Sequence, residues 1–425
     1  MKVLVVGGGG REHALCRSLA ESPVVERLYA APGNPGIAQV ADPVPIESTK
    51  TRALVAFAER SGIDLTVVGP EAPLVGGLVD EMEGRGLRAF GPTAEGARLE
   101  GSKAWARSLC QRHGIPVPRS ATFTEVGPAL EYLRTLSSPF VIKADGLAAG
   151  KGVTIAEDEA AARAAVEDCL IHGMFGAAGR TVLVEEHLVG QEVSALALTD
   201  GTDVIPLALA QDYKRALDGD RGPNTGGMGA YSPVPFVDLS VESEIVDDVL
   251  RAIVRALAVE GVPYRGVVYA GLMLTSDGPK VLEFNCRFGD PETQVVLPRL
   301  ESDLAEALEF AASARLCEYR PRWTSRACVG VVLASEGYPG RHRTGLPISG
   351  LAEAERLDGV SVFHAGTTER DGRVVTAGGR VLTVSALGEG LREARILAYQ
   401  AASLIRFQGA HYRWDIAARA CGKPR

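Results

Sequence analysis

Apolar and polar positions alternate in blocks along the first hundred residues. The run KVLVV ends in four glycines at 7–10, and a helical pattern follows over 11–21. RLYAAPGNPG reads as a second strand closed by a turn. A helix with Leu54, Phe57 and Ala58 on one face leads into DLTVVGPEAP, and another helix leads into LRAFGPT. Strands alternating with helices predict a parallel, doubly wound sheet. Its strand ends carry residues 7–11, 32–36, 69–73 and 91–93, where such sheets bind ligands.

The middle of the chain has a different rhythm. Residues 99–118 read as a helix with Lys103 near its start, ended by Gly114 and two prolines. Strands at 140–144 and 152–156 flank the glycine-rich DGLAAGKG, and an alanine-rich helix follows over 157–171. A strand at 181–185 is interrupted at Gly190 before another begins at Val193. Residues 211–233, QDYKRALDGDRGPNTGGMGAYSP, are too rich in glycine and asparagine for helix or strand. They read as a long loop, functional rather than disordered, because Met228, Tyr231 and the flanks are apolar. VVYAGLML and KVLEFN form a hairpin about Ser276-Asp277-Gly278. After a linker at 321–325 come three strands (ACVGVVLAS, VSVFHAGT, RVLTVSAL) and an amphipathic helix with Leu391, Ala394, Leu397, Ala401 and Leu404 on one face. The fold class is α/β and α+β multidomain.

Composition narrows the function. A length of 425 residues predicts two to four domains, and 46% hydrophobic with 6% aromatic residues suits an α/β protein with ample core. A net charge of −8 argues against a nucleic-acid binder. No apolar run reaches membrane-spanning length, and MKVLVVGGGG is a strand and loop rather than a signal peptide. Seven scattered cysteines without a CxxC point to reduced thiols and a cytoplasmic location; seven dispersed histidines offer no zinc site. Only eight of the 45 basic residues are lysine, and four of them (Lys103, Lys143, Lys151, Lys214) fall in the stretches considered next.

DGLAAGKG can lay backbone N–H groups around a polyphosphate. It is not a Walker loop: three residues separate Gly146 from Gly150-Lys151, and Gly152 follows. Joining two strands, it reads either as a hairpin flap over a nucleotide or as an ordinary turn. A nicotinamide fold fails on detail, since the third glycine of GxGxxG would fall on Glu12 or His13 and the second strand ends without an acid. A monophosphate at the helix N-terminus fits better, with Glu71 either holding a hydroxyl or amine or serving as a helix-start acid. Glu185, Glu186 and Glu192 crowd a strand break, as adenine and ribose recognition would require, or as solvated charge. Glu283 and Asn285 are two apart on a strand and face the same way. Their oxygens suit magnesium shared with nucleotide phosphates, with Arg287 beyond them on the same face for a carboxylate or phosphoryl group; the alternative is a polar solvent face. Gly378-Gly379-Arg380 reads as a phosphate contact or as a hairpin turn.

Together, ADGLAAGKGV, QDYKRALDGD, GPNTGGMGAYSP and LEFNCRFGDPETQ, with GGGGREHAL, PGNPG, VVGPEAPLV, YAGLM, FHAGT and GGRVL, resemble the phosphoribosylamine–glycine ligase (glycinamide ribonucleotide synthetase) family of the ATP-grasp superfamily. The resemblance spans nearly the whole chain. It implies an N-terminal substrate domain over 1–102, a central ATP-grasp domain over 103–120 and 191–325, an ATP lid over 121–190 and a C-terminal α+β cap over 326–425. It implies that ATP, glycine and 5-phosphoribosylamine give glycinamide ribonucleotide, ADP and phosphate through an acyl phosphate, in purine synthesis.

The same resemblance assigns residues. Lys103, Lys143, Gly146, Gly150, Lys151 and Gly152 would hold ATP phosphates. Glu185, Glu186, His187 and Leu188 would form the adenine hinge, and Glu192 would bind ribose. Glu283 and Asn285 would ligate magnesium, with manganese as a substitute. Asp212, Lys214 and Arg287 would address glycine and the transferred phosphoryl. Gly9, Gly10, Arg11, Asn34, Gly36 and Glu71 would face phosphoribosylamine, and Gly378, Gly379 and Arg380 would close on its phosphate. A cytoplasmic monomer without nucleic-acid or membrane partners is expected. Two departures stand out: Tyr213 replaces the histidine of QDHK, and VVYAGLML lacks a carboxylate, leaving the number of metal ions open.

Overall fold

A computed structural model of the chain describes residues 1–146 and 152–422. The N-terminal sheet is parallel and five-stranded, in the spatial order Asp42–Pro43, Arg27–Pro32, Lys2–Gly7, Leu65–Val68, Ala89–Phe90. Alternate residues of Lys2–Gly7 enter two different cores. Leu4 and Val6 pack with Leu54, Val55 and Met82; Val3 and Val5 pack with Leu15, Leu19 and Leu304. A central strand buried on both faces reads as a continuous apolar run, which is why KVLVV has no alternation.

The second sheet has antiparallel strands in the order Ser120–Phe123, Val182–Glu186, Phe140–Ala144, Val153–Ala156, with a core of its own against the helices Val126–Leu133 and Glu159–Leu170. The third runs Val204–Pro206, Gln191–Thr199, Gly266–Thr275, Gly278–Asn285. Its hairpin carries a bulge: Gly271 faces Glu283 and Leu272 faces Val281, so Leu282 has no partner across the strand. The helices Lys103–Arg112 and Arg251–Val259 cover this sheet, their Leu109, Ile253 and Leu257 packing with Val268 and Leu272.

The fourth sheet departs from expectation. Residues 211–233 hold four short strands rather than a loop. Gln211–Asp212 and Gly229–Ser232 form the edge of the C-terminal sheet beside Ala327–Ser335, Arg380–Gly388 and Val360–His364, while Arg215–Leu217 and Arg221–Asn224 pair as a small hairpin. One neighbour of Gly229–Ser232 is the nearby Gln211–Asp212, but the strand that ties it to the sheet, Ala327–Ser335, lies about a hundred residues on, so local composition carries no trace of that pairing. Its glycines serve close approach: a Cβ on Gly229 would lie 2.6 Å from the Gly330 carbonyl oxygen. The helix Leu391–Leu404 also differs. Its buried face is Ala394, Ala398, Ala401 and Ala402, and Leu404 is exposed, because the small side chains let the helix lie close on the sheet.

The N- and C-terminal sheets meet in a buried seam. The His364 N–H donates to His13 Nδ1 at 2.8 Å, and the Asn34 amide donates to the His364 carbonyl at 2.8 Å. Burial pulls the pKa of His13 down to about 3, with His364 and Arg17 adding to the shift, and burial pulls His364 down to about 4. Both imidazoles are therefore neutral in the fold, and the unfolded chain takes up their protons first. Stability from the seam should be complete above the free histidine pKa of about 6.5 and decline toward those values, by about 1.4 kcal/mol per pH unit for each histidine. Tm measured from pH 7 to pH 4 should fall more gently in His13→Asn than in the parent.

Candidate functional site

A cavity of about 1310 Å³ is walled by residues of the second, third and fourth sheets and by Arg11, Pro70 and Glu71, which follow strands of the first. On the lid side, Lys143 projects from Phe140–Ala144 beside the neighbouring strand Val182–Glu186. Its Nζ contacts Glu185 Oε2 at 2.7 Å and donates to the Leu282 carbonyl at 2.9 Å. Arg107 closes the same knot: Nη2 pairs with Glu185 Oε1 and Nη1 donates to the Val281 carbonyl at 3.0 Å. The Leu282 bulge thus turns a carbonyl toward the lid lysine.

The Glu185 carboxylate is 1% exposed and paired with both cations. Glu185 lines the cavity together with Glu186, His187 and Leu188. Lys103 Nζ donates to the Gly146 carbonyl at 2.8 Å, while Ser102 Oγ and the Ala104 N–H hold Asp145 at 3.1 and 3.0 Å. The start of the glycine-rich loop is thereby tied to the helix Lys103–Arg112. Burial lowers the Lys103 pKa, and Lys143 nearby adds to the shift. Gly152 lines the cavity; Gly150 and Lys151 lie outside the described residues.

Deeper in, Lys214 Nζ sits between Glu192 Oε2 at 3.2 Å and Glu283 Oε1 at 3.4 Å. Lys214 holds the Glu283 pKa down to about 2, and Lys143 and Lys103 help against the opposing effect of burial. Burial works to lower the Lys214 pKa, but Glu192, Glu283 and Asp212 outweigh it and push it up. Asp212 behaves oppositely to Glu283: burial, with Glu292, Glu192 and Glu283 around it, raises its pKa against the pull of Lys214. Two carboxyls of one cavity are thus shifted in opposite directions, the pattern that separates acid from base roles.

Arg287 lies past the end of Gly278–Asn285 yet keeps to the cavity. Its Nη2 donates to Glu100 Oε1 at 3.0 Å and Asn285 Oδ1 at 3.3 Å, and its Nε lies 3.5 Å from Glu71 Oε2. Burial raises the Glu71 pKa less than Arg287 and Arg11 lower it, so the net shift is downward.

The N-terminal loops are only partly as expected. Arg11 and Glu71 line the cavity, but Gly9, Gly10, Asn34 and Gly36 do not. At the start of the helix Gly10–Ala20, Glu12 Oε2 accepts the Gly9 N–H at 2.6 Å, and Oε1 pairs with Arg11 Nε at 2.6 Å. That N–H is thereby committed to a carboxylate of the chain. The Asn34 amide is also spent internally, donating to the Gly8 and His364 carbonyls and accepting the Gly36 and Ile37 N–H groups. Gly36 is glycine because a Cβ there would lie 2.4 Å from His13 Cε1.

From the C-terminal sheet, Arg380 reaches the wall, donating from Nη1 to the Gly226 and Asp290 carbonyls at 2.7 Å each and from Nη2 to Asp290 Oδ2 at 3.0 Å. Gly378 and Gly379 do not line the cavity. A Cβ on Gly379 would meet the Tyr338 ring at 2.2 Å, so that glycine seats the ring.

Profiles of three domains of one family match the chain in order: phosphoribosylglycinamide synthetase N domain over 1–100, ATP-grasp (A) domain over 101–293 and C domain over 328–419. The chain belongs to the phosphoribosylglycinamide synthetase family. A phosphoribosylamine–glycine ligase of Allochromatium vinosum is 52% identical over all of both chains. The crystal structure of phosphoribosylamine–glycine ligase from Thermotoga maritima superposes with a TM-score of 0.86 at 34% identity, covering 98% of this chain and 100% of that one. The biotin carboxylase domain of a Hydrogenobacter thermophilus 2-oxoglutarate carboxylase, solved with magnesium ADP and bicarbonate, shares the fold alone: TM-score 0.74 at 16% identity, over 97% and 91% of the chains. The ATP-grasp architecture read from the sequence is borne out.

Several wall residues escaped the sequence reading. Glu292 accepts from Ser194 Oγ and Tyr269 Oη, both at 2.9 Å, and Asp290 anchors Arg380. Both acids sit in GDPETQ directly after Arg287, so the motif itself was the available signal. Arg107 is four residues after Lys103 and shares its helix face, a spacing that could have exposed it. Glu100, which takes the Cys286 N–H at 2.9 Å, gives no such signal.

Proposed function

We propose that this chain joins glycine to 5-phosphoribosylamine with ATP, giving glycinamide ribonucleotide, ADP and phosphate in purine biosynthesis through a glycyl phosphate. The observation that carries this reading is the Lys214 ammonium held between Glu192 and Glu283, beside Asp212 and Arg287, in one cavity with Lys103 and Lys143.

A carboxylate is a poor acyl donor. In the first step a glycine carboxylate oxygen bonds to the γ-phosphorus as its bond to the β-bridging oxygen breaks, and ADP leaves. In the second the amine of phosphoribosylamine attacks the carbonyl carbon, and phosphate departs with the electrons of the C–O bond. Lys214 and Arg287 supply positive charge where these oxygens gather it. Asp212, whose pKa burial raises, lines the same cavity and takes the proton that the amine releases. No protein nucleophile is required.

The oxygens of Glu283 and Asn285 fit a hard divalent cation, since the carboxylate stays ionised and the amide oxygen faces the same cavity. When bound, magnesium would offset phosphate charge. Lys103, Lys143 and the 146–152 loop, with Lys151, are assigned to the phosphates; the 186–188 edge to adenine; Glu192 to ribose. Of the residues expected at phosphoribosylamine, we keep Arg11, Glu71 and Arg380. The working division is a substrate domain over 1–102, a lid over 121–190, a core over 103–120 and 191–325, and a cap over 326–425. We also propose a cytoplasmic monomer acting on small molecules only; among the described residues no helix is long and apolar enough to cross a membrane.

With purified protein, ADP release should require glycine and phosphoribosylamine together, and omission of either should lower the rate by about 10²-fold or more. Equal release with another amino acid in place of glycine would assign a different acid to the site.

A further inference from the structure

Among the described residues the largest fully buried side chain is an arginine, Arg413. Burying a guanidinium is costly unless each donor is used. Here Nε and Nη2 form a fork with the Asp415 carboxylate at 2.7 Å each, Nη2 also takes Asp220 Oδ1 at 2.9 Å, and Nη1 donates to the Arg215 carbonyl at 3.0 Å. The guanidinium lies 4.8 Å from the centre of the Tyr213 ring. Of these partners, Arg215 and Asp220 belong to the small hairpin Arg215–Leu217 with Arg221–Asn224, and Tyr213 lies two residues before it.

Neighbouring contacts repeat the pattern. The Ala417 N–H donates to Tyr213 Oη at 3.0 Å, and the Trp414 N–H donates to Asp218 Oδ1 at 2.8 Å. Asp220 has φ of +55°, a conformation unfavourable for a residue with a side chain. Arg413 and Arg419 hold its carboxylate there, the latter at 2.9 Å. A chain end nearly two hundred residues away thus fixes residues 213–220 point by point.

We infer that the segment 411–419 is a strap that positions Lys214 and Asp212, with Arg413 and Tyr213 as its positioning residues. Lys214 follows Tyr213 directly, and its backbone is gripped on one side by the strap-bound Tyr213 ring and on the other by Arg215. Neither Arg413 nor the Tyr213 hydroxyl touches a reacting group in this reading; they set where the ammonium stands between Glu192 and Glu283. The inference rests on Lys214 being the group that meets glycine.

The test compares Arg413→Lys, Arg413→Ala and Tyr213→Phe in the full chain, well below each variant's Tm. Steady-state constants for glycine and for ATP are read separately, along with hydrogen exchange of amides 213–220. A misplaced ammonium should raise the KM for glycine or lower kcat by about tenfold in Arg413→Ala, leave the KM for ATP within about twofold, and speed exchange across 213–220. Arg413→Lys keeps the charge but loses the planar fork, so its defect should lie in between. Should Arg413→Ala fail to fold, Tyr213→Phe, which removes one hydroxyl, decides by the same readouts with a smaller shift. Parent-like glycine constants in folded Arg413→Lys and Tyr213→Phe, or equal losses for ATP and glycine, would overturn the strap. Lys214→Ala with an unchanged KM for glycine and unchanged kcat would instead sink the reading of the site beneath it.

Discussion

Lys214→Ala is expected to lower kcat by about 10²–10³-fold, the range seen when one preorganised donor to developing charge is removed. Affinity for ADP, measured by calorimetry, should change far less, because Lys103 and Lys143 remain. Glu192, Glu283 and Asp212 surround the ammonium, and it is the largest influence keeping Glu283 ionised. Its loss should therefore also raise the Glu283 pKa from about 2. In the parent, Glu283 stays a carboxylate throughout the neutral range. In Lys214→Ala an acid limb should enter the pH–rate profile at higher pH than in the parent. Glu283→Gln, which keeps the shape and removes the charge, should match the kcat loss but show no such limb from that position. A protein that only bound nucleotide would have no turnover to lose in either variant.

The same residues indicate how much the sequence could disclose. Lys103, Glu283 and Asn285 lie on regular elements, where strand period and helix start fix direction, and the structure brings them together with Arg287 just beyond the strand. Lys143 was legible as a lysine beside a glycine-rich loop. Its partners were not, because Glu185 and Arg107 reach it from another strand and another helix, and the Leu282 carbonyl reaches it through a bulge that nothing in KVLEFN announces. Asn34 misled for a related reason. A polar residue at a strand end is equally suited to bind ligand or to fasten two sheets, and its partner His364 lies 330 residues away. Residues 211–233 failed as a local reading because Gly229–Ser232 joins the sheet through Ala327–Ser335, far along the chain, while the other pairings within the stretch are only two to four residues long. Tyr213 was noticed only as a departure; its role becomes visible once the Ala417 amide and Arg413 are found against it.

The second large effect concerns the buried knot of Arg107, Glu185 and Lys143. Glu185→Ala leaves two cations, both about 6% exposed, without their common counter-ion. Breaking a buried pair in this way costs about 3–5 kcal/mol, since the remaining charge keeps its desolvation penalty. For a domain of this size Tm should fall by about 10 °C, read by scanning calorimetry. Glu185→Gln retains an acceptor for each cation and should fall less. The informative comparison is the triple variant Arg107→Met, Glu185→Leu, Lys143→Met, in which no charge is left to solvate. It should regain most of the lost Tm, because apolar replacement of a whole buried ionic cluster is often neutral. The KM for ATP in that variant should nevertheless stay about tenfold or more above the parent, since the proposed function assigns the Lys143 ammonium to the phosphates. A triple variant with parent-like ATP kinetics would mean that Lys143 serves the fold alone. One that stayed as unstable as Glu185→Ala would mean that the knot's geometry, rather than its charge balance, holds the lid strand to the Leu282 bulge.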